Sequence, residues 1–448
     1  MAELIIRGGT ILTIDSDWRV LSGDVASRDG EIVQVGGRYT PRDREYELLD
    51  ASGCLVMPGL VQSHVHMCQT LARGRADNLE LLDWLRWIVW PYEAELDAGD
   101  VAAAARLACV ELLMGGTTCV LDMATVRHTG AIFEVARAAG LRATIGKAMM
   151  DSSDNSAALR ERTIDALDES ARLCETWNGA ENGRLRYAYS PRFALSCTDE
   201  LLREVARVAR HRGVRIHTHA SENRAEIAEV VRRTGMENIH YLHSVGLTGD
   251  DVCLAHCVWL SEGERRILAE TGTHVLHCPS SNFKLASGVA EIPELIEAGI
   301  SVSLGADGAP CNNNLDGFLE LRLAALLHKP RCGPRAMHAA LVLRMATLDG
   351  ARALGLADQI GSLEVGKRAD VIVVNMHTPH VVPTVDPFSA AVYAVRAADV
   401  RHVAVDGQVA VRDRHLLTLD IEAVMADARE RSRGIFDRLE QKAAKPSS

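Results

Sequence analysis

From Cys54 to about Leu354 the chain alternates short apolar runs with longer Ala- and Leu-rich stretches, and this alternation constrains the fold more than any other feature. Apolar strands separated by helical patterns are the signature of repeated βα units around a parallel sheet. Eight strands are predicted, at 55–66, 118–123, 142–149, 185–190, 215–219, 252–258, 273–278 and 301–306, with helices between them at 102–114, 201–211, 224–233, 262–270 and 319–327. By pattern alone a doubly wound sheet remains open, but eight strands with intervening helices suggest an α/β fold of the (β/α)8 TIM-barrel type.

The two ends of the chain have a different texture. Short alternating segments at 4–7, 10–13, 31–35 and 46–50 suggest a small antiparallel sheet, and similar runs recur at 370–375, 400–405 and 408–411. Three or so strands make a marginal sheet, so the ends are expected to pair into one small β-sandwich beside the barrel. The expected division is therefore 1–57 plus 361–448 for the composite β-domain and 58–360 for the barrel. An exposed amphipathic helix is predicted at 421–442 and a frayed tail at 443–448.

A chain of 448 residues that is 47% hydrophobic and 24% charged can bury a sizeable core. Its net charge of −11, with no basic tract, argues against nucleic acid as a partner. No apolar run reaches transmembrane length and no signal-peptide pattern opens the sequence, so no membrane partner and a cytoplasmic location are expected. The 11 cysteines form no CxxC pair and read as buried thiols without disulfides.

Among 17 histidines, position decides which matter. His64 and His66 end the first barrel strand two residues apart, which places both imidazoles on one side. The preceding Pro58-Gly59 marks chain entry from another domain. A second pair, His217 and His219, ends the fifth strand; His219 is nearer the mouth, where barrel active sites sit, and His217 is the structural neighbour. Glu222 follows three residues later, as either a helix-entry residue or a carboxylate leaning over the same mouth. His256 ends the sixth strand and Asp307 the eighth. Core histidines bonded to carbonyls would explain any one of these, but the convergence of all of them at one end suggests a catalytic metal site, for which imidazoles and a carboxylate suit zinc or ferrous iron.

With these residues in place, the sequence resembles the amidohydrolase superfamily, in its mononuclear branch of adenosine-derivative and guanine deaminases. The resemblance runs from the Ile5–Thr13 stretch, through Pro58-Gly59-Leu60-Val61-Gln62-Ser63-His64-Val65-His66, to the Gly361–Asp370 run, nearly the whole chain. It implies one divalent metal, zinc with iron as the alternative, held by His64, His66, His219 and Asp307. It also implies that His256 orients the attacking water or the developing oxyanion, that Glu222 shuttles protons, and that Asp307 takes the water's proton. Binuclear members bridge their metals through a lysine on the fourth strand, and 185–192 contains none, so one metal is expected.

The stretch Leu79–Leu85, followed by Trp90-Pro91-Tyr92-Glu93, is similar to the loop after the first strand in deaminases of methylthioadenosine and S-adenosylhomocysteine. That similarity implies Trp84 lying against a nucleoside and Glu93 accepting ribose hydroxyls, though an amphipathic helix with core aromatics would read the same way. In place of a histidine common in that branch stands Pro191-Arg192-Phe193, which is similar to guanine deaminases. Arg192 could serve an oxo or ring-nitrogen acceptor, a ribose, a carboxylate tail, or a plain salt bridge. The leading expectation is hydrolytic deamination of a 6-aminopurine nucleoside of the 5′-deoxyadenosine, methylthioadenosine or S-adenosylhomocysteine type. Guanine or another aminated purine or pterin base comes second, an s-triazine third, and a silent scaffold last. The expected partners are a small aminated heterocycle and further copies of the chain.

Overall fold

The computed structural model describes residues 3–42, 44–152 and 157–443; of the predicted tail at 443–448, Ala443 ends the C-terminal helix and the rest lies outside the described residues. Eight parallel strand positions run round a (β/α)8 barrel: Leu60–His66, Thr117–Met123, Arg142–Gly146, Leu185–Pro191, Arg215–Ala220, Val252–His256, His274–His277, and an eighth in two pieces. Val302–Leu304 pairs with the seventh strand and Asp307–Gly308 with the first, so the interrupted eighth strand closes the ring. Ser63 helps the closure by donating to the Leu304 carbonyl at 2.8 Å. Inside, Val61, Leu121, Ala188, Ala255 and Leu276 pack against Leu354, Leu356 and Ile360, which plug the N-terminal end.

The predicted strand at 55–66 is two strands. Cys54–Pro58 pairs antiparallel with Val371–Asn375 in the second sheet, and only Leu60–His66 belongs to the barrel. Gly59 makes the break: a Cβ there would lie 2.1 Å from Thr118 Oγ1. The second sheet holds nine strands from both chain ends. Leu4, Ile6, Ile11, Val25, Ile32, Val56, Val371 and Val373 form its core. It is mixed rather than antiparallel, because Glu3–Leu12 pairs in parallel with both Glu47–Asp50 and Cys54–Pro58. The predicted runs at 4–7 and 10–13 are one strand with a register shift between Ile6 and Gly9, and a strand at Val20–Arg28 escaped the sequence pattern.

The C-terminal helix, Ile421–Ala443, is not simply exposed. It lays Val424, Ala428 and Ile435 against the barrel. Arg431 and Arg438 each reach Asp100 at 3.0 Å, and Ser432 donates to the Leu71 carbonyl at 2.7 Å. Burying Ile435 alone contributes about 2 kcal/mol. All 11 cysteines are free thiols, and only Cys332 is exposed. Among the described residues no helix is long and apolar enough to cross a membrane.

Candidate active site

Period-2 geometry and strand ends put the predicted ligands where they are. His64 and His66 finish the first strand, His219 is the penultimate residue of the fifth, His256 closes the sixth, and Asp307 opens the short closing piece of the eighth. Ring nitrogens of His64, His66 and His219 lie within 4.8 Å of one another, as do the ligand atoms of His64, His256 and Asp307.

Hydrogen-bond accounting shows what such a cluster lacks. His66 Nδ1 lies 2.8 Å from the Met123 carbonyl and His219 Nδ1 lies 2.6 Å from the Arg192 carbonyl. A carbonyl only accepts, so both Nδ1 atoms carry the proton and both Nε2 atoms are bare lone pairs. Those two lone pairs face each other at 3.3 Å, where neither can donate. His64 Nδ1 meets His217 Nε2 at 2.8 Å, and His64 Nε2, fully buried, has no hydrogen-bond partner. It points toward Asp307 Oδ1 at 3.3 Å, which also lies 3.4 Å from His66 Nε2. Bare imidazole nitrogens and a carboxylate oxygen around one point are a donor set that fits a divalent ion of the zinc type.

Burial drives the imidazoles neutral: it pulls His64 down, His66 to about 3, and His217 and His219 well below the usual range. Burial would raise Asp307, but the adjoining rings of His64, His256 and His66 hold it well below the usual carboxylate range. Glu222 goes the other way. Burial first and the Asp307 charge second raise it well above. The surroundings push the two carboxyl groups in opposite directions, the separation that lets two acids play opposite roles. His256 Nε2 stands between them, 3.4 Å from Glu222 and 3.8 Å from Asp307. Ser221, His256 and Asp307 all hold positive φ angles of 52°, 75° and 64°, left-handed backbone that costs about 1 kcal/mol or more per residue and clusters at working sites.

Several supporting groups escaped the sequence reading. Asn223 caps the helix Arg224–Thr234, and Glu226 completes the capping box while accepting the Glu222 backbone N–H at 2.8 Å, so the cap fixes the Glu222 loop. The Asn-x-x-Glu spacing was a visible signal for this. Ser287 donates to Glu222 at 3.3 Å, Ser281 donates to Asp307 at 2.6 Å, and Asn282 Oδ1 lies 2.9 Å from His256 Nδ1. Ser281 and Asn282 lie within Cys278–Leu285 and Ser287 just beyond it, a stretch in which no spacing rule assigns roles.

The mouth opens into a narrow cavity of about 30 Å3, lined by Leu81, Trp84, Leu85, Arg192, Phe193 and Leu285 beside the polar cluster. Trp84 Nε1 is buried there without a partner. Glu93 does not line this cavity. Its carboxylate is held by Arg192 at 2.5 and 3.1 Å and by Gln69 at 2.8 Å, where a carboxylate free for ribose was expected. Two residues that sequence reading treated separately are thus one buried ion pair. The fourth strand carries no lysine, and Lys147, beside the third, is occupied by Glu161.

A (β/α)8 barrel with imidazoles and carboxylates gathered at the C-terminal mouth defines the class of barrel hydrolases with a metal-type centre. The amidohydrolase family model matches residues 55–410, and the chain belongs to that family. It is 40% identical over 441 residues to the 5′-deoxyadenosine deaminase of Methanosarcina mazei, covering 98% of this chain and all of the relative. It is 42% identical over 438 residues to the 5-methylthioadenosine/S-adenosylhomocysteine deaminase of Syntrophobacter fumaroxidans, covering 97% and 98%. A zinc-bound adenosine deaminase from Xanthomonas campestris superposes with a TM-score of 0.91 at 33% identity, over 97% of this chain and 98% of that one.

Proposed function

We propose that this chain deaminates a 6-aminopurine nucleoside of the 5′-deoxyadenosine, methylthioadenosine or S-adenosylhomocysteine type, giving the inosine analogue and ammonia. The observation that carries this reading is the pair of Nε2 atoms of His66 and His219 facing each other at 3.3 Å beside the buried carboxyl groups of Asp307 and Glu222. His64, His66, His219 and Asp307 would hold one divalent ion, zinc before iron. When bound, such an ion supplies Lewis acidity that lowers the pKa of water to about 7.

The residues then divide the proton work. Asp307, ionised, accepts the proton of the attacking water, while Glu222, protonated, donates to the ring nitrogen beside the amine-bearing carbon and so makes that carbon electrophilic. His256 stabilises the charge developing on the attacking oxygen. Asp307 then passes the water's proton to the amine, the C–N bond breaks to release ammonia, and the remaining hydroxyl proton returns to Glu222 as the carbonyl forms. Trp84 covers the heterocycle's face, and Arg192, fixed by Glu93, presents its guanidinium to an acceptor on the substrate. That guanidinium at the cavity wall, with Phe193 beside it, favours a second reading: an aminated oxopurine or pterin base such as guanine. The barrel 58–360 carries this site, and 1–57 with 361–448 form its companion unit. A cytoplasmic homo-oligomer is the working state.

An ammonia-release panel tests the reading. Turnover on 5′-deoxyadenosine or methylthioadenosine at least about tenfold above guanine and s-triazines in kcat/KM is expected, a preference of roughly 1.4 kcal/mol. A guanine preference would replace it with the second reading.

A further inference from the structure

At the opposite, N-terminal end of the barrel, a cleft of about 1270 Å3 including its mouth is lined by Arg186, Arg210 and Arg215. Arg186 and Thr144 are register partners on the fourth and third strands, so their side chains share a face. Arg215 is the first residue of the fifth strand. Arg210 is matched, with Asp251 at 3.0 and 3.3 Å. The other two are not. Among the described residues, Arg186 makes one long bond, to the Gly183 carbonyl at 3.4 Å, and no ion pair. Arg215 reaches only the backbone carbonyls of Asp250 and Arg352. Gly355 leaves room for that guanidinium, since a Cβ there would lie 2.6 Å from Arg215 Nη2. Thr144, 2% exposed, lines the same cleft, and its hydroxyl has no hydrogen-bond partner. The carboxylates at the cleft are Asp251, already engaged, and the exposed Asp250.

A chain with a net charge of −11 therefore keeps an uncompensated positive cleft at the end of the barrel remote from the proposed chemistry. Burial and the nearby Arg142 and Arg215 charges pull the Arg186 pKa below its ordinary value, the mark of a cation lacking its counter-ion. Forked guanidiniums match tetrahedral oxyanions in geometry as well as charge. We propose that this cleft binds a small oxyanion of the phosphate class, held by Arg186 and Arg215.

The test is calorimetric titration of the full-length, metal-loaded protein with inorganic phosphate, at ionic strength held constant with sodium chloride. Saturable binding is expected in the wild type, weakened about tenfold or more in Arg186→Met and in Arg215→Met. Both variants should keep wild-type turnover. A parallel titration with ribose 5-phosphate separates the sources: tighter binding than phosphate assigns the site to a phosphorylated metabolite, and equal binding assigns it to free phosphate. No saturable binding by the wild type would overturn the proposal whatever the variants do. Undiminished binding in Arg186→Met would also overturn it, since the phosphate would then sit elsewhere, at the metal centre for example. If the methionine variants do not fold, Arg186→Lys keeps the charge but loses the fork, and a wild-type affinity for phosphate in that variant contradicts the assignment.

Discussion

Two buried ionic clusters in this molecule have opposite bookkeeping. Where the barrel meets the terminal sheet, Arg142 and Arg368 face Asp370 and Asp406, two guanidiniums against two carboxylates. Arg142 holds Asp370 at 2.7 and 2.9 Å, and the Asp406 backbone N–H donates to Asp370 at 2.8 Å. At the C-terminal mouth, imidazoles driven neutral surround two carboxylates, and nitrogen lone pairs meet with no proton between them. The matched cluster ties two parts of the chain together. The unmatched one leaves imidazole lone pairs without partners, and such perturbed groups in a cleft point to chemistry where satisfied ion pairs point to architecture.

The contrast breaks most visibly at Glu222. Glu222→Gln should keep its metal but lose turnover by about a thousandfold, the scale of a positioned proton donor. Near-normal turnover in that variant would remove Glu222 from proton transfer. Asp307→Ala should lose metal and activity together, read by metal analysis of the purified protein. At the matched junction the expected losses exchange places. Arg142→Met leaves Asp370 buried without its partner and should lower stability by about 3–5 kcal/mol in denaturant unfolding, with turnover per folded, metal-loaded chain unchanged. The smallest effect concerns Glu320, a third kind of site: a buried carboxyl on the helix Gly317–Leu327 with hydrogen-bond donors but no cation, raised by burial to about 7. Between about pH 4.5 and 7 the unfolded chain has released this proton while the folded one retains it, so stability falls as pH rises through that window and levels off above it. Glu320→Gln should flatten that slope, changing the wild-type minus variant difference by about 3 kcal/mol across the window.

The sequence made the mouth far more legible than its walls. Strand period and strand ends were enough to bring His64, His66, His219, His256 and Asp307 together, because each sits where a barrel strand must point. Glu222, two residues past the end of its strand, was legible only as one of two options, a helix entry or a carboxylate over the mouth, and its carboxylate lies 3.4 Å from His256 Nε2. The Glu93–Arg192 pair was not, since 99 residues separate its partners and no local pattern encodes the contact. Ser281 and Asn282 sit on the short helix Pro279–Lys284 and Ser287 just beyond it, and tertiary packing alone sets where that helix lies, so their bonds to Asp307, His256 and Glu222 had no readable signal. In the terminal sheet, Gly8-Gly9 looked like a turn and is a bulge within one strand, because the same φ freedom serves both. The C-terminal helix looked solvent-facing from its charges, two of which, on Arg431 and Arg438, reach back to Asp100.

The central claim is that the unmatched nitrogens and Asp307 exist to hold one divalent ion on which deamination depends. Stepwise return of zinc to chelator-treated protein, with ammonia release from 5′-deoxyadenosine followed at each step, tests it most directly. Activity should be absent without metal, rise in proportion to bound zinc, and reach its plateau at one ion per chain. Full turnover in the metal-free protein, or a plateau reached only at two ions per chain, would contradict it.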